Sequence, residues 1–310
     1  MSWKVIAIIA ALAVMAGPVN AQVVLDGSIA GDGYGGPAAV QTVQTQFGDN
    51  FSELNAAYGF TSGGNLHLTL TGNLENNFNK LNIFIDSVAG GQNMIDAATN
   101  PTNDGWAAQY DGFMFDNNFA ADYLIIARNG NFGGPRFDLD FNSVGNTSVV
   151  ETTNDIFGGS FAGSNAAVGA SGIGVGFDNS NTAGILGGTG AANSAAAIAV
   201  QTGLELVIPL SAIGSPAIGD TILISAQVNG SNHDFLSNQF LGGLQQGTGN
   251  LGGPVGNINL KEFAGDQHFG ITVVPEPSAA CILGVAALGC LLYTSPSPRD
   301  LSTSRMPSSA

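Results

Sequence analysis

Apolar residues recur at every second position through much of this chain. Leu66, Leu68 and Leu70 alternate with His67, Thr69 and Thr71, and Leu81, Ile83 and Ile85 alternate with Asn82, Phe84 and Asp86. Leu204, Leu206 and Ile208 share a face, as do Ile222, Ile224, Ala226 and Val228, and then Phe269, Ile271 and Val273. Successive side chains of a strand point to opposite faces, so a period of two with one polar side predicts half-buried antiparallel strands. Further strands are predicted over 54–60, 113–116, 123–127, 136–141 and 168–177, divided by turns rich in Gly, Asn and Asp. Only 209–213, Pro-Leu-Ser-Ala-Ile, has the look of a helical turn. Short strands at this spacing predict one all-β domain over 22–274, an antiparallel β-sandwich. The stretch 158–203 is rich in Gly, Ala, Ser and Asn, which would suit a linker. Ile173, Val175 and Phe177 still alternate within it, so it reads as edge strands and long loops of the same domain.

The two ends depart from that pattern. Lys4 is the only charge before Asp26, residues 5–16 are an unbroken apolar run, and Gly17-Pro18 ends it. With small residues leading to Ala21, this is the layout of a secretory signal peptide over 1–21, cleaved between Ala21 and Gln22. The apolar run is too short to span a bilayer, which takes roughly 20 residues. A second apolar segment, 279–292, follows Val274-Pro275-Glu276-Pro277-Ser278. Two prolines around a Glu cannot continue a strand, because Pro lacks an N–H and fixes φ. They predict an exposed, extended hinge ahead of a short apolar helix that contacts the membrane.

Pro275, Glu276 and Pro277 before such a helix, on a chain with a signal peptide, resemble the PEP-CTERM sorting signal of Gram-negative bacteria. The resemblance covers 275–292 and implies an exosortase-like processing protease as partner. It also implies delivery to the cell surface or extracellular matrix after transient membrane anchoring. The family pattern continues into a basic cluster, whereas here only Arg299 and Arg305 occur in a Ser/Pro-rich tail over 293–310. That tail matches neither the body nor the family and reads as non-native, similar to translated adapter sequence.

Charge narrows what the body can bind. Between Gln22 and Val274 the only basic residues are Lys80, Arg128, Arg136 and Lys261, against 21 acidic ones. Such a surface repels phosphate backbones and argues against nucleic-acid partners. Both cysteines, Cys281 and Cys290, lie in the C-terminal apolar segment. Nine residues apart on a helix they are about 13 Å apart along the axis, beyond the reach of a disulfide. The body therefore has no disulfide, no thiolate nucleophile and no cysteine-based zinc site.

Catalytic signatures are sparse. His67 lies on the polar side of its strand, and His233, Asp234 and His268 have no recognisable catalytic or metal spacing. No Gly-x-Ser-x-Gly elbow occurs, and the body reads as a non-enzyme without a cofactor. Calcium is the best-grounded ion. Asp138, Asp140 and Asn142 begin like an EF-hand loop, but Ser143 replaces the required Gly and Glu151 arrives two positions late. An alternating strand with these three on its solvent face explains the same residues and is the preferred reading. For stacking on a polysaccharide, Tyr34, Trp106 and Tyr110 are the candidate aromatics, unless Trp106 and Tyr110 instead plug the end of the sandwich.

Several stretches together resemble the DOMON-like β-sandwiches, a group that includes the family-9 carbohydrate-binding modules. The carriers are residues 64–70, Gly-Asn-Leu-His-Leu-Thr-Leu, followed by 81–86, Leu-Asn-Ile-Phe-Ile-Asp. Residues 203–211 resemble that group's Glu-x-x-Ile-Pro strand, with a Gly219-Asp220 turn beyond. The resemblance implies a jelly-roll-like sandwich and, in some members, sugar or haem binding and structural calcium. The expectation is an exported, non-catalytic structural or matrix protein, with a carbohydrate-binding module as the alternative.

Overall fold

The computed structural model describes residues 23–275, except 149 and 158–161. The described residues as far as Val274 cluster into one compact unit. The expected signal peptide with its Ala21–Gln22 cleavage point, Glu276, Pro277 and the apolar helix lie outside the described residues; Pro275, the last of them, is exposed. Among the described residues no helix is long and apolar enough to cross a membrane.

The chain is mostly β. In order it forms β1 (Ala39–Val40), β2 (Glu53–Ser62), β3 (Asn65–Asn73), β4 (Lys80–Asp86), β5 (Tyr123–Asn131), β6 (Pro135–Ser143) and β7 (Val150–Thr153). There follow β8 (Ala162–Val168), β9 (Ile173–Asp178), β10 (Gly203–Pro209), β11 (Thr221–Asn229), β12 (Leu236–Leu241) and β13 (Phe269–Thr272). Two short α-helices join them, α1 (Trp106–Tyr110) and α2 (Ser194–Ala199). A six-stranded antiparallel sheet runs β1-β2-β3-β10-β9-β8. A seven-stranded one runs β12-β11-β4-β5-β6-β7, with β13 also paired to β11.

The two sheets face each other as in a β-sandwich, and the alternating residues supply the core between them. Leu66, Leu68, Leu70, Leu204, Leu206 and Ile208 from one sheet meet Leu81, Ile83, Ile85, Ile222, Ile224 and Phe137 from the other. Each is at most 4% exposed, so nearly all of its apolar area is out of water, and such burial stabilises by roughly 1.5–3 kcal/mol per side chain. The predicted helical turn is present as a 3₁₀ turn, Leu210–Ile213. Within 158–203, β8 and β9 extend the six-stranded sheet, and 168–177 proves to be two strands rather than one. Val168 ends β8 and Ile173 opens β9, because Gly169 (φ 66°) and Gly172 (φ 72°) turn the chain between them.

Two expectations need correction. Residues 113–116 form no strand; Met114 makes only isolated bridges to Met94 and Asn259. The second correction is larger. The face of β4 and β5 that alternation marks as polar is buried, beneath a second apolar cluster. Phe84, Leu124 and Ile126 on the seven-stranded sheet pack there against Trp106, Tyr110, Phe113, Phe115 and Phe119 from the 87–122 connection. The rings meet edge-on, with centroids 4.8 Å apart for Phe84–Phe115 and 5.0 Å for Tyr110–Phe113, the geometry that aromatic quadrupoles favour. The connection thus forms a third layer over one sheet.

Candidate functional site

The densest polar chemistry lies under this third layer, at its margin. Lys80 on β4, Arg128 on β5, and Asp138 and Asp140 on β6 stand side by side on the outer face, since Lys80 pairs with Arg128 and Arg128 with Asp138 in the ladder. From above, the turn before α1 lowers Asp104 into the group. Its backbone is held at φ 55°, and Gly105 follows at φ 74°, a pair of left-handed residues that re-aims the chain. Asp104 Oδ2 lies 2.9 Å from Lys80 Nζ, 3.4 Å from Arg128 Nη1 and 2.9 Å from His233 Nε2. Arg128 also reaches Asp140 at 3.0 Å, and Arg136 grips Asp138 at 2.7 Å. Three of the body's four cations are therefore gathered in one cluster with three aspartates.

The protonation states follow from that packing. Burial by itself would raise the Asp104 pKa, but the bond from His233 and the charges of Arg128 and Lys80 outweigh it and hold the carboxyl at about 2. Burial lowers Lys80, with Asp104 opposing it. It also lowers His233, so this fully buried imidazole is neutral at pH 7. The Asn82 amide donates to His233 Nδ1 (3.3 Å), which leaves the ring proton on Nε2, aimed at Asp104. Asn82 and Asn229 also donate to the Tyr110 hydroxyl, each at 2.9 Å.

Chemically this arrangement clamps rather than reacts. The carboxylates are occupied by guanidinium, ammonium or imidazole groups, and the histidine has an acid on one side and an amide on the other, with no hydroxyl or thiol nucleophile among its bonded partners. The cluster ties the connection to the sheet.

The sequence-derived sites fare differently. Asp138, Asp140 and Asn142 do share one face of β6, but that face is buried rather than solvated, the three being 2%, 0% and 0% exposed. Arg136 takes both Asp138 oxygens (2.9 and 3.0 Å from Nε) and Arg128 takes Asp140, so the lone pairs that calcium would need are committed. Asn142 makes no side-chain hydrogen bond. Among the described residues no group of three or more His, Cys, Asp or Glu is placed to hold a metal ion. Trp106 and Tyr110 are both 0% exposed and cannot stack on a sugar as placed. They lie against a sheet face, not at the end of the sandwich. Tyr34 is half-buried, edge-on to Phe60 and Tyr58 (centroids 5.3 and 6.5 Å). His233 and His268 have separate surroundings, His268 lying against Phe119, while Asp234 is exposed. His67 is half-buried and stacks on Phe60 at 4.7 Å.

No family model, curated protein or solved structure matches the chain.

A second polar site escaped sequence reasoning. Glu205 projects from β10 onto the outer face of the six-stranded sheet, yet it is fully buried. Residues 23–36 lie over it. Asp26 N and Gly27 N donate to Oε2 at 2.9 and 3.0 Å, and the Tyr34 hydroxyl donates to Oε1 at 3.1 Å. Burial pushes this carboxyl up to about 7 against those three bonds, with nearby Asp32 adding to the rise. The available signals were its place in the Glu-x-x-Ile-Pro stretch and its position as a lone acid between Leu204 and Leu206 on an otherwise apolar strand.

Proposed function

We propose that this is an exported, non-catalytic structural protein of the cell surface or extracellular matrix. Its address is carried by a signal peptide cleaved before Gln22 and by the PEP-CTERM-like Pro275-Glu276-Pro277, read by an exosortase-like protease. The motif pair at the two ends is the observation that carries this reading. The folded unit supports it: three of the four Lys and Arg side chains of the body are tied up with aspartates, and its strand motifs resemble the jelly-roll-like DOMON group. In a Gram-negative host that contains an exosortase, the chain is expected outside the cell. A Pro275→Ala/Glu276→Ala/Pro277→Ala variant is expected to stay in the membrane fraction. Equal distribution of the two proteins would remove the motif from the account.

A second reading, binding of a neutral polysaccharide, is favoured by one surface. Phe235 (42% exposed) stacks on Phe47 with centroids 6.1 Å apart and planes 16° apart, and Phe51 (58% exposed) lies on the same 47–51 loop. Exposed aromatic faces are what sugar stacking requires. On this reading Phe235→Ala loses retention on polysaccharide and Trp106→Ala does not. Retention unaffected by Phe235→Ala would sink it.

A further inference from the structure

Residues 23–36 cross the outer face of the six-stranded sheet, and their attachment is unusual for so acidic a chain. Backbone contacts fix the register: Ile29 N donates to Gln201 O, Gly203 N to Gly27 O, and Ser28 bridges Thr202. Close approach is possible only because two glycines meet. A Cβ on Gly176 would lie 2.6 Å from Gly27 N, and one on Gly27 would lie 2.4 Å from Asp178 N. Everything else converges on Glu205. Two backbone N–H groups and one phenol hold a carboxyl that has no cation among its bonded partners.

The surrounding charge is acidic on nearly every side. The strap carries Asp26 and Asp32 beside Tyr34; β9 contributes Asp178 at the Gly27 crossing; β2 contributes only Tyr58. Among the described residues, His67 on β3, near Asp32, is the one ionisable base facing the site. Directly across the ladder from Glu205 stands the buried hydroxyl of Thr69. This contrasts with the Asp104 cluster, where every acid meets a cation. A negative charge buried beside Asp32 raises the free energy of the docked strap; a proton on Glu205 removes that charge, and this gain outweighs the weakening of the bonds that the carboxylate accepts from Asp26 N, Gly27 N and the Tyr34 hydroxyl.

We propose that residues 23–36 are a pH-gated strap, docked while Glu205 is protonated and loosened to uncover Tyr58, Phe60 and His67 when it is not. The sign follows from linkage. The docked carboxyl titrates at about 7 and the free one at 4.5, so docking is strongest below 4.5 and weakens as pH rises to about 7. Over that window the open-to-closed ratio rises roughly tenfold per pH unit, and it levels off above it. Acid closes the strap and neutrality loosens it.

The test is amide hydrogen exchange on the purified full chain, reading peptides across 23–36 and correcting for the intrinsic pH dependence of exchange. Between pH 5 and pH 8 the protection of the strap is expected to fall roughly a hundredfold, with strands β3 and β10 unchanged. In Glu205→Gln the strap keeps one protection value across that range. In Asp32→Asn, which removes a charge that raises Glu205, the fall moves to lower pH. A pH-independent strap in the unmodified chain would overturn the proposal whatever the variants do. So would a fall that persists in Glu205→Gln.

Discussion

Each sheet of this protein has an outer face covered by a piece of its own chain, and the two coverings are fastened in opposite ways. Over the seven-stranded sheet the 87–122 connection lays down five aromatic rings and closes its margin with Asp104 among Lys80, Arg128 and His233. Over the six-stranded sheet the 23–36 strap sits on one buried acid, Glu205, bonded only by N–H and O–H groups. Burial acts on both acids in the same direction. What differs is the company: the bond from His233 and the charges of Arg128 and Lys80 take Asp104 down to about 2, while Glu205, with no cation bonded to it, stands at about 7. A chain with four basic residues in its body has placed three of them at one closure. One covering is thereby sealed through the ordinary pH range and the other is left to respond to it.

The contrast can be broken from the sealed side first. Trp106→Ala removes the largest ring from the aromatic layer and is expected to cost about 3–5 kcal/mol in denaturant unfolding. Asp104→Ala leaves Lys80 and Arg128 short of a buried partner, and about 3 kcal/mol of destabilisation is expected. Acid provides a gentler cut. Because the folded Asp104 pKa is depressed from 3.8 to about 2, its contribution is present above 3.8 and is lost as pH falls through 2. That amounts to about 1–2 kcal/mol once screening by nearby solvent is allowed for, and it should vanish in Asp104→Asn. On the strap, Tyr34→Phe deletes one hydrogen bond to Glu205 and is expected to cost about 1 kcal/mol, with the 23–36 peptides exchanging faster and the 87–122 peptides unchanged. Calcium should do least: with Asp138 and Asp140 committed to arginines, the unfolding midpoint is expected to be the same in calcium and in chelator. A rise would assign an ion to the loops and not to β6.

The inner core was legible in the sequence because its residues alternate without interruption, as at Leu66, Leu68 and Leu70 beside Leu204, Leu206 and Ile208. The outer faces were not, for a physical reason. Alternation assigns one side of a strand to water, and Asn82, Arg128, Asp138 and Asp140 satisfy that rule by composition while being buried under a connection with no periodicity of its own. Phe84 and Ile126, apolar at positions marked as outward, were the local sign that something covers this face. Trp106 and Tyr110, in an Asx-rich stretch, were read as stacking aromatics or as plugs at the end of the sandwich; Asp104-Gly105 instead turns them down onto a sheet face at the start of α1. Glu205 is the acid of the Glu-x-x-Ile-Pro stretch, yet nothing local marks it as buried; its burial depends on residues 23–36, some 170 positions earlier, crossing where Gly27 and Gly176 meet, which no local pattern links. Short or irregular strands such as β1, β7 and β12 were missed for want of a repeating period, and residues 168–177 were joined across a two-glycine turn.

The central functional claim is that the chain leaves the cell and is trimmed at both ends, and the direct measurement is terminal mapping by mass spectrometry. The chain would be recovered from the surface and matrix fraction of an exosortase-bearing Gram-negative host. The expected product begins at Gln22 and lacks the apolar segment that follows Pro275-Glu276-Pro277. A chain that remains inside the cell, still beginning at Met1 and carrying that segment, would contradict export and sorting together.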